Sequence, residues 1–166
     1  MILNSIIPQD TWLAIKNYVT NAVNAVAKKA YLNYYDFSSN SQTTFTNNDF
    51  KKLVTDTTEG FSYDGLVHTN NRITNTGSTK IFGLIGVVSV SGSNNDSIHM
   101  AFFKSGVLID SSEQEFTLDG SPRPNSIPIQ CVTQLQSGEY VEVWVKNANG
   151  TNTITLQNIN VICTQM

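Results

Sequence analysis

From Thr79 to Met166 the chain is a succession of short apolar runs separated by turn residues, with no helical period between them. The runs are Ile81 to Val90, Ile98 to Phe103, Val107 to Ile109, Ile127 to Val132, Tyr140 to Val145, Ile154 to Leu156 and Ile159 to Cys163. Strands at this spacing, joined by turns rather than helices, predict a mainly β fold, an antiparallel sandwich or jelly roll. An all-β knob behind a short helix points to a binding or structural module rather than to an enzyme.

The N-terminal segment has a different period. Pro8 and Asp10 suit the first turn of a helix, where a missing N–H is tolerated and a negative charge meets the positive end of the dipole. Trp12, Ile15, Val19, Ala22 and Val26 then recur at alternating steps of three and four. This is the seam of a coiled coil, sustained for about two heptads. Leu13, Val23 and Ala27 widen the stripe. A lone helix of about 20 residues is marginal in water, so the stripe packs either on the chain's own knob or on copies of itself. The small Ala22 and the β-branched Ile15, Val19 and Val26 favour a tight bundle, a self-associated stem.

Three regions follow from these periods: an anchor and helical stem over 1–32, a linker or shaft over 33–60, and a knob over 61–166. Tyr31, Tyr34, Tyr35 and Phe37 lead into the Ser- and Thr-rich stretch of the linker. Phe50, Leu53 and Val54 fit either a helical turn or an edge strand.

Within the knob the strand alternation is broken. Val141, Val143 and Val145 point one way, and Tyr140, Glu142 and Trp144 the other. Met100 and Phe102 oppose Ala101 and Phe103 in the same manner. A strand with one solvated face should be polar on it, so two apolar faces imply a cover. Trp and Tyr are enriched at protein interfaces. Tyr140, Trp144 and Phe103 are therefore the expected subunit interface of the knob, with coverage by the chain's own N-terminal segment as the alternative.

Three stretches share a recognisable order: the long run Ile81 to Gly92 with internal Gly83 and Gly86, the hairpin Phe102 to Ile109 around Lys104-Ser105-Gly106, and Leu135-Gln136-Ser137-Gly138-Glu139-Tyr140-Val141-Glu142-Val143. In that order they resemble the jelly-roll head of the tumour necrosis factor/C1q superfamily, which includes the knob-like heads of many phage virion proteins. The hairpin is similar to the family's Lys-Asn-Gly turn and aliphatic strand. The third stretch is similar to its Leu-x-x-Gly-Asp-x-Val-x-Val segment, with Glu139 in place of Asp. The likeness covers about the final hundred residues. It implies ten or so strands in two sheets and a compact homotrimer. Its three-fold axis would be lined by the final strand and by the strand holding Tyr140 and Trp144. It also implies an N-terminal stalk. No Gly-X-Y repeat is present, so a collagen stalk is excluded and the stalk would be the coiled coil from Trp12 to Val26.

Charged residues make up 14% of the chain, against an ordinary ~25%. Asn, Ser and Thr, about a third of the residues, take their place. The net charge is −3, and Lys28-Lys29 and Lys51-Lys52 are the only basic pairs. Nucleic-acid binding needs a basic patch to neutralise phosphates, and none is evident. No stretch approaches the ~20 apolar residues of a membrane span, and Met1 to Pro8 lacks the positive start of a signal peptide. The expectation is synthesis in a host cytoplasm without membrane insertion.

Cys131 and Cys163 read as small buried apolar side chains, with a disulfide as the alternative. His99, in mid-strand, reads as structural. No Gly-x-Ser-x-Gly elbow, His-Glu-x-x-His or phosphate loop occurs, so no catalytic residue, cofactor or metal site is expected. Glu113, Glu115 and Asp119 cluster, but without the Asp-x-Asn-x-Asp loop that shapes a calcium site. Asn149-Gly150 reads as a turn.

The expected function is that of a non-enzymatic structural protein on a phage virion surface. It would be a trimeric capsid decoration or head fibre, docked on the shell by its N-terminal segment with the knob exposed. One alternative is a tail-fibre or receptor-binding tip. There the loops Ser91 to Ser97 and Ser121 to Ser126, with Asn94, Asn95 and Arg123, would meet a host surface glycan or protein. The other is a cellular C1q-like binding module.

Overall fold

One helix, α1 (Gln9–Val26), precedes the strands in the computed structural model, which describes residues 8–26, 29–37, 41–44, 49–53, 55–120, 123–149 and 152–166. In chain order the strands are β1 (Tyr31–Asp36), β2 (Ser41–Thr44), β3 (Lys51–Lys52), β4 (Thr58–Tyr63), β5 (Leu66–His68), β6 (Arg72–Asn75), β7 (Lys80–Ser91), β8 (Ser97–Lys104), β9 (Val107–Leu108), β10 (Gln114–Thr117), β11 (Asn125–Leu135), β12 (Tyr140–Asn147) and β13 (Thr153–Gln165). They form two antiparallel sheets. The first runs β11-β7-β13-β1-β4, with β2 also on β13. The second runs β10-β8-β12-β6-β5, with β3 on β12 and β9 on β8. From β7 onward the chain crosses between the sheets, to β8, back to β11, across to β12 and back to β13, and the sandwich is closed by these crossings.

The core lies between the sheets and follows the two-residue period of a strand. Phe82, Leu84, Val88 and Val90 of β7 face Met100 and Phe102 of β8 and Val141, Val143 and Val145 of β12, all buried. Ser105 and Gly106, both at positive φ, make the two-residue turn that pairs Lys104 with Val107. Such turns match the right-handed twist of the strands they join.

The span 33–60, expected as a linker or shaft, belongs largely to the sandwich. β1 lies between β13 and β4 in the first sheet. Ala30, Leu32, Tyr34 and Leu53 are core residues, so the knob starts near residue 29 rather than 61. Gln165 N–H donates to the Ala30 carbonyl at 2.8 Å, and Ala30 N–H donates to Gln165 Oε1 at 3.1 Å, closing the entry of the chain. Residue 54 lies outside the described residues, and Phe50 precedes the short strand β3.

The disulfide alternative is also corrected. Cys131 and Cys163 both pair in register with Leu84, from opposite sides. A whole strand separates them, roughly 10 Å, beyond the reach of an S–S bond, and both thiols are free.

The helix does not cover the knob. Trp12, Leu13, Ile15, Tyr18 and Val19 are between 43% and 76% exposed. Ala22 is exposed as well, and Val26 is the last residue of the helix. The stripe read as a stem is present on a single helix with no partner within the described chain. No helix among the described residues is long and apolar enough to cross a membrane.

Candidate functional site

Three surfaces are built well enough to be described, and the first is the outward face of the second sheet. Glu142 sits at its centre, only 2% exposed. It accepts hydrogen bonds from Lys52 Nζ at 2.6 Å, Arg72 Nε at 2.8 Å and Trp144 Nε1 at 3.2 Å. Burial by itself raises its pKa; the Lys52, Arg72 and Trp144 donors outweigh burial and hold the carboxyl below its ordinary range. Phe103 stacks on Trp144 with ring centroids 4.4 Å apart, and Phe50 meets Phe103 edge-on at 5.1 Å. Arg72 lies 3.8 Å over the ring of Tyr140, and Lys146 4.5 Å over that of Phe50.

This arrangement changes the reading of Tyr140, Trp144 and Phe103. Phe103 is buried, and Tyr140 and Trp144 are half-buried, under groups of the same chain. Their apolar second face is packed by Phe50, β3 and Arg72 of the same chain, which lie outside the N-terminal segment expected as the alternative cover. Moreover β12 and β13 belong to different sheets, so the Tyr140 strand and the final strand do not line one common face.

The second surface, which the sequence reading missed, is the outward face of the first sheet. Its registers place Val132, Gly83, Thr164, Tyr31 and Tyr63 side by side in one row. The next row is Gln130, Ile85, Ile162, Asn33 and Phe61. The third is Pro128, Val87, Asn160, Tyr35 and Thr58. None of these residues is charged. Phe61 and Val132 are each 59% exposed and Ile85 is 54% exposed. Exposed apolar patches of several hundred Å² mark interaction sites. The signal was available in β7, whose outward positions Ile81, Ile85 and Val87 are as apolar as its inward ones.

The third surface is the loop end. Asp96 is buried, with its Oδ2 accepting from Ser93 N–H at 3.1 Å and its Oδ1 from Asn152 Nδ2 at 2.9 Å. Asn149 Nδ2 donates to the Asn95 carbonyl at 2.8 Å, and its Oδ1 accepts from Ser97 N–H at 2.8 Å. Gly120, at φ +66°, lies so close to Asn94 that a Cβ there would come within 2.6 Å of it. These contacts bring residues 92–96 and 118–120 together with Asn149 and Asn152. Asn94, Asn95 and Arg123 are exposed at this end; residues 121 and 122 lie outside the described residues, and Asn125 and Ser126 already belong to β11.

The carboxylates after β9 are used within the chain. Glu113 Oε1 accepts from His99 Nδ1 at 2.7 Å and from Lys146 Nζ at 3.1 Å. Burial raises its pKa, and these bonds, with the charges of the same two groups, lower it further than burial raises it. Glu115 Oε1 accepts from Ser97 Oγ at 2.7 Å. Among the described residues no group of three or more His, Cys, Asp or Glu side chains is placed to hold a metal ion.

No protein-family model matches the sequence, and no curated protein resembles it in sequence. Solved structures do resemble it in fold. Murine APRIL at pH 5.0 superposes with a TM-score of 0.59 at 13% identity, over 84% of this chain and 100% of that one. The Eiger TNF of S. frugiperda gives 0.51 at 6% identity, over 84% and 93%. The vertex protein P5 of PRD1 gives 0.49 at 11% identity, over 84% and 97%. At these identities the likeness to APRIL and Eiger establishes the fold alone: a jelly-roll sandwich of the tumour necrosis factor type.

Proposed function

We propose that the protein is a non-enzymatic, trimeric structural component of a phage virion surface, docked through its N-terminal segment with the loop end of the knob facing solvent. The observation that carries this reading is the polarity of the knob. The chain enters the first sheet at Tyr31, beside Thr164. The loops holding Asn94 and Asn95 follow Ser91, which pairs with Thr155 near the other end of β13. About 30 Å of extended strand separates the two ends. The helix, with its uncovered seam, thus leads into one end, and loops rich in Asn and Ser stand at the other.

Self-association is supported by the charge-free outward face of the first sheet and by the exposed stripe of α1. The virion reading is supported by the likeness of the knob's motifs to the heads of phage virion proteins, and by a surface in which Asn, Ser and Thr replace charge. Analytical ultracentrifugation should give three chains per particle, and gold-labelled antibody to the knob should decorate virions on the capsid. Monomers together with unlabelled virions would refute the reading.

The exposed loop end favours one second reading, a receptor-binding tip. In that case the isolated knob binds host cells, binding is lost on changing Asn94 and Arg123, and the gold label falls on the tail.

A further inference from the structure

Alternation along β12 turns Tyr140, Glu142 and Trp144 to the outward face of the second sheet. Pairing sets Arg72 of β6 opposite Glu142 and Lys52 of β3 opposite Trp144. Both cations then close on one carboxylate. Lys52 Nζ and Arg72 Nη2 reach the same oxygen, Glu142 Oε1, at 2.6 and 2.8 Å. The Glu142 side chain is 2% exposed, while those of Lys52 and Arg72 are 35% and 36% exposed. One buried negative charge therefore answers two positive ones, and the excess faces water.

We infer that this cluster binds one monoanionic group with two terminal oxygens, carried on a surface polysaccharide: the carboxylate of an acidic sugar or the phosphodiester of a polyol-phosphate chain. The inference goes beyond the virion reading and does not depend on it. Among the described residues the contacts of Arg72 use its Nε and Nη2, and those of Lys52 use one N–H. A guanidinium and an ammonium carry more N–H groups than that, so both keep donors for a second anion. The guanidinium is already oriented, held over the Tyr140 ring at 3.8 Å and tied through Nε to Glu142. Little side-chain freedom is left to lose when a ligand arrives. Trp144 stands beside Lys52, its indole fixed by the bond to Glu142 Oε2 and by stacking on Phe103. It supplies an apolar neighbour for the C–H groups that carry the anion. The other cations of this face have their own carboxylates: Lys146 and His99 meet Glu113, and Lys104 meets Glu139. Lys51 alternates to the opposite side of β3. One unit of excess charge suits one monoanion, whereas a nucleic acid needs a row of phosphate contacts.

The test uses the full-length chain, whose two tryptophans, Trp12 on α1 and Trp144 at the cluster, each give an indole N–H signal in a nitrogen–proton NMR spectrum. Trp12→Phe assigns the pair. Glucuronic acid and glycerophosphoglycerol are the anionic probes, glucose is the neutral control, and sodium chloride keeps the ionic strength equal in every sample. The expected result is a saturable shift of the Trp144 signal with at least one anionic probe, with no shift from glucose and none at Trp12. The probe that acts identifies the source of the anion. Arg72→Gln should weaken the binding about tenfold or more, and Arg72→Lys should recover part of it. Glu142→Gln removes the competing negative charge and should tighten the binding several-fold. Native melting curves show that each variant is folded, and Lys52→Gln replaces Arg72→Gln if the latter melts below the measuring temperature. A Trp144 signal that moves with neither anion overturns the site. So does movement that glucose reproduces, that Trp12 shares, or that Arg72→Gln and Lys52→Gln leave unchanged.

Discussion

The Tyr34 hydroxyl donates to Asn71 Oδ1 at 2.6 Å in the middle of the sandwich. Asn71 Nδ2 donates onward to the carbonyls of Leu53 and Val143, at 3.1 and 2.8 Å. One amide therefore ties the first sheet, the second sheet and the segment after β3. Burial, with the nearby Glu142 and Cys163 as lesser causes, pushes the Tyr34 phenol well above its ordinary pKa, so it stays protonated and able to donate.

Removing the two partners should not be equivalent. Tyr34→Phe deletes one hydroxyl and should cost about 1 kcal/mol. Asn71→Ala strands the phenol and the Leu53 carbonyl, while the Val143 carbonyl keeps the Leu53 N–H at 3.1 Å, and should cost about 3 kcal/mol. Urea unfolding at one fixed protein concentration gives both values. A costlier Tyr34→Phe would show that the network is not organised around Asn71.

Glu142 should make the knob sensitive to acid. Its folded pKa lies below the reference value of 4.5, so its contribution to stability is complete above the unfolded pKa. That contribution is lost as pH falls through the lower folded value. Glu113, depressed in the same direction, adds to the loss. Glu142→Gln should cost about 3 kcal/mol at neutral pH and flatten the fall in stability below pH 4.5. An unchanged acid profile in this variant would remove Glu142 from the account.

The seam of α1 has its own test. Val19→Asp places a charge on the exposed stripe beside Ile15. If copies of the helix pack along that stripe, circular dichroism should lose helical signal while the knob's melting transition stays in place. Helicity that survives, with the whole melting curve unchanged, would show that the stripe is not a seam.

The boundary of the knob predicts a contrast between two fragments. Residues 29–166 keep β1 and the Ala30–Gln165 closure, and should unfold cooperatively. Residues 61–166 lack the strand between β13 and β4, with Leu32 and Tyr34, and should aggregate or remain unfolded. Limited proteolysis and near-ultraviolet circular dichroism distinguish them; a cooperatively folded 61–166 fragment would restore the expected linker.

The sequence by itself determined the class of fold and the strands from Ile81 onward, because a strand's two-residue alternation is written in adjacent side chains. It also determined the amphipathic helix from Trp12 to Val26, for the same local reason. It did not reveal β1. There Leu32, Tyr34 and Asp36 face inward and Tyr31, Asn33 and Tyr35 outward, so neither face is uniformly apolar and no period stands out. Which faces are covered was decided only by tertiary structure. Tyr140, Phe103 and Trp144 suggest an interface when read along the chain, but Phe50 and Arg72, distant in sequence, fold onto them. Ile85 and Val132 suggest core, but they lie on the far side of a sheet whose other face is already packed. Alternation tells how many faces a strand has, while pairing between distant segments decides what lies against each of them.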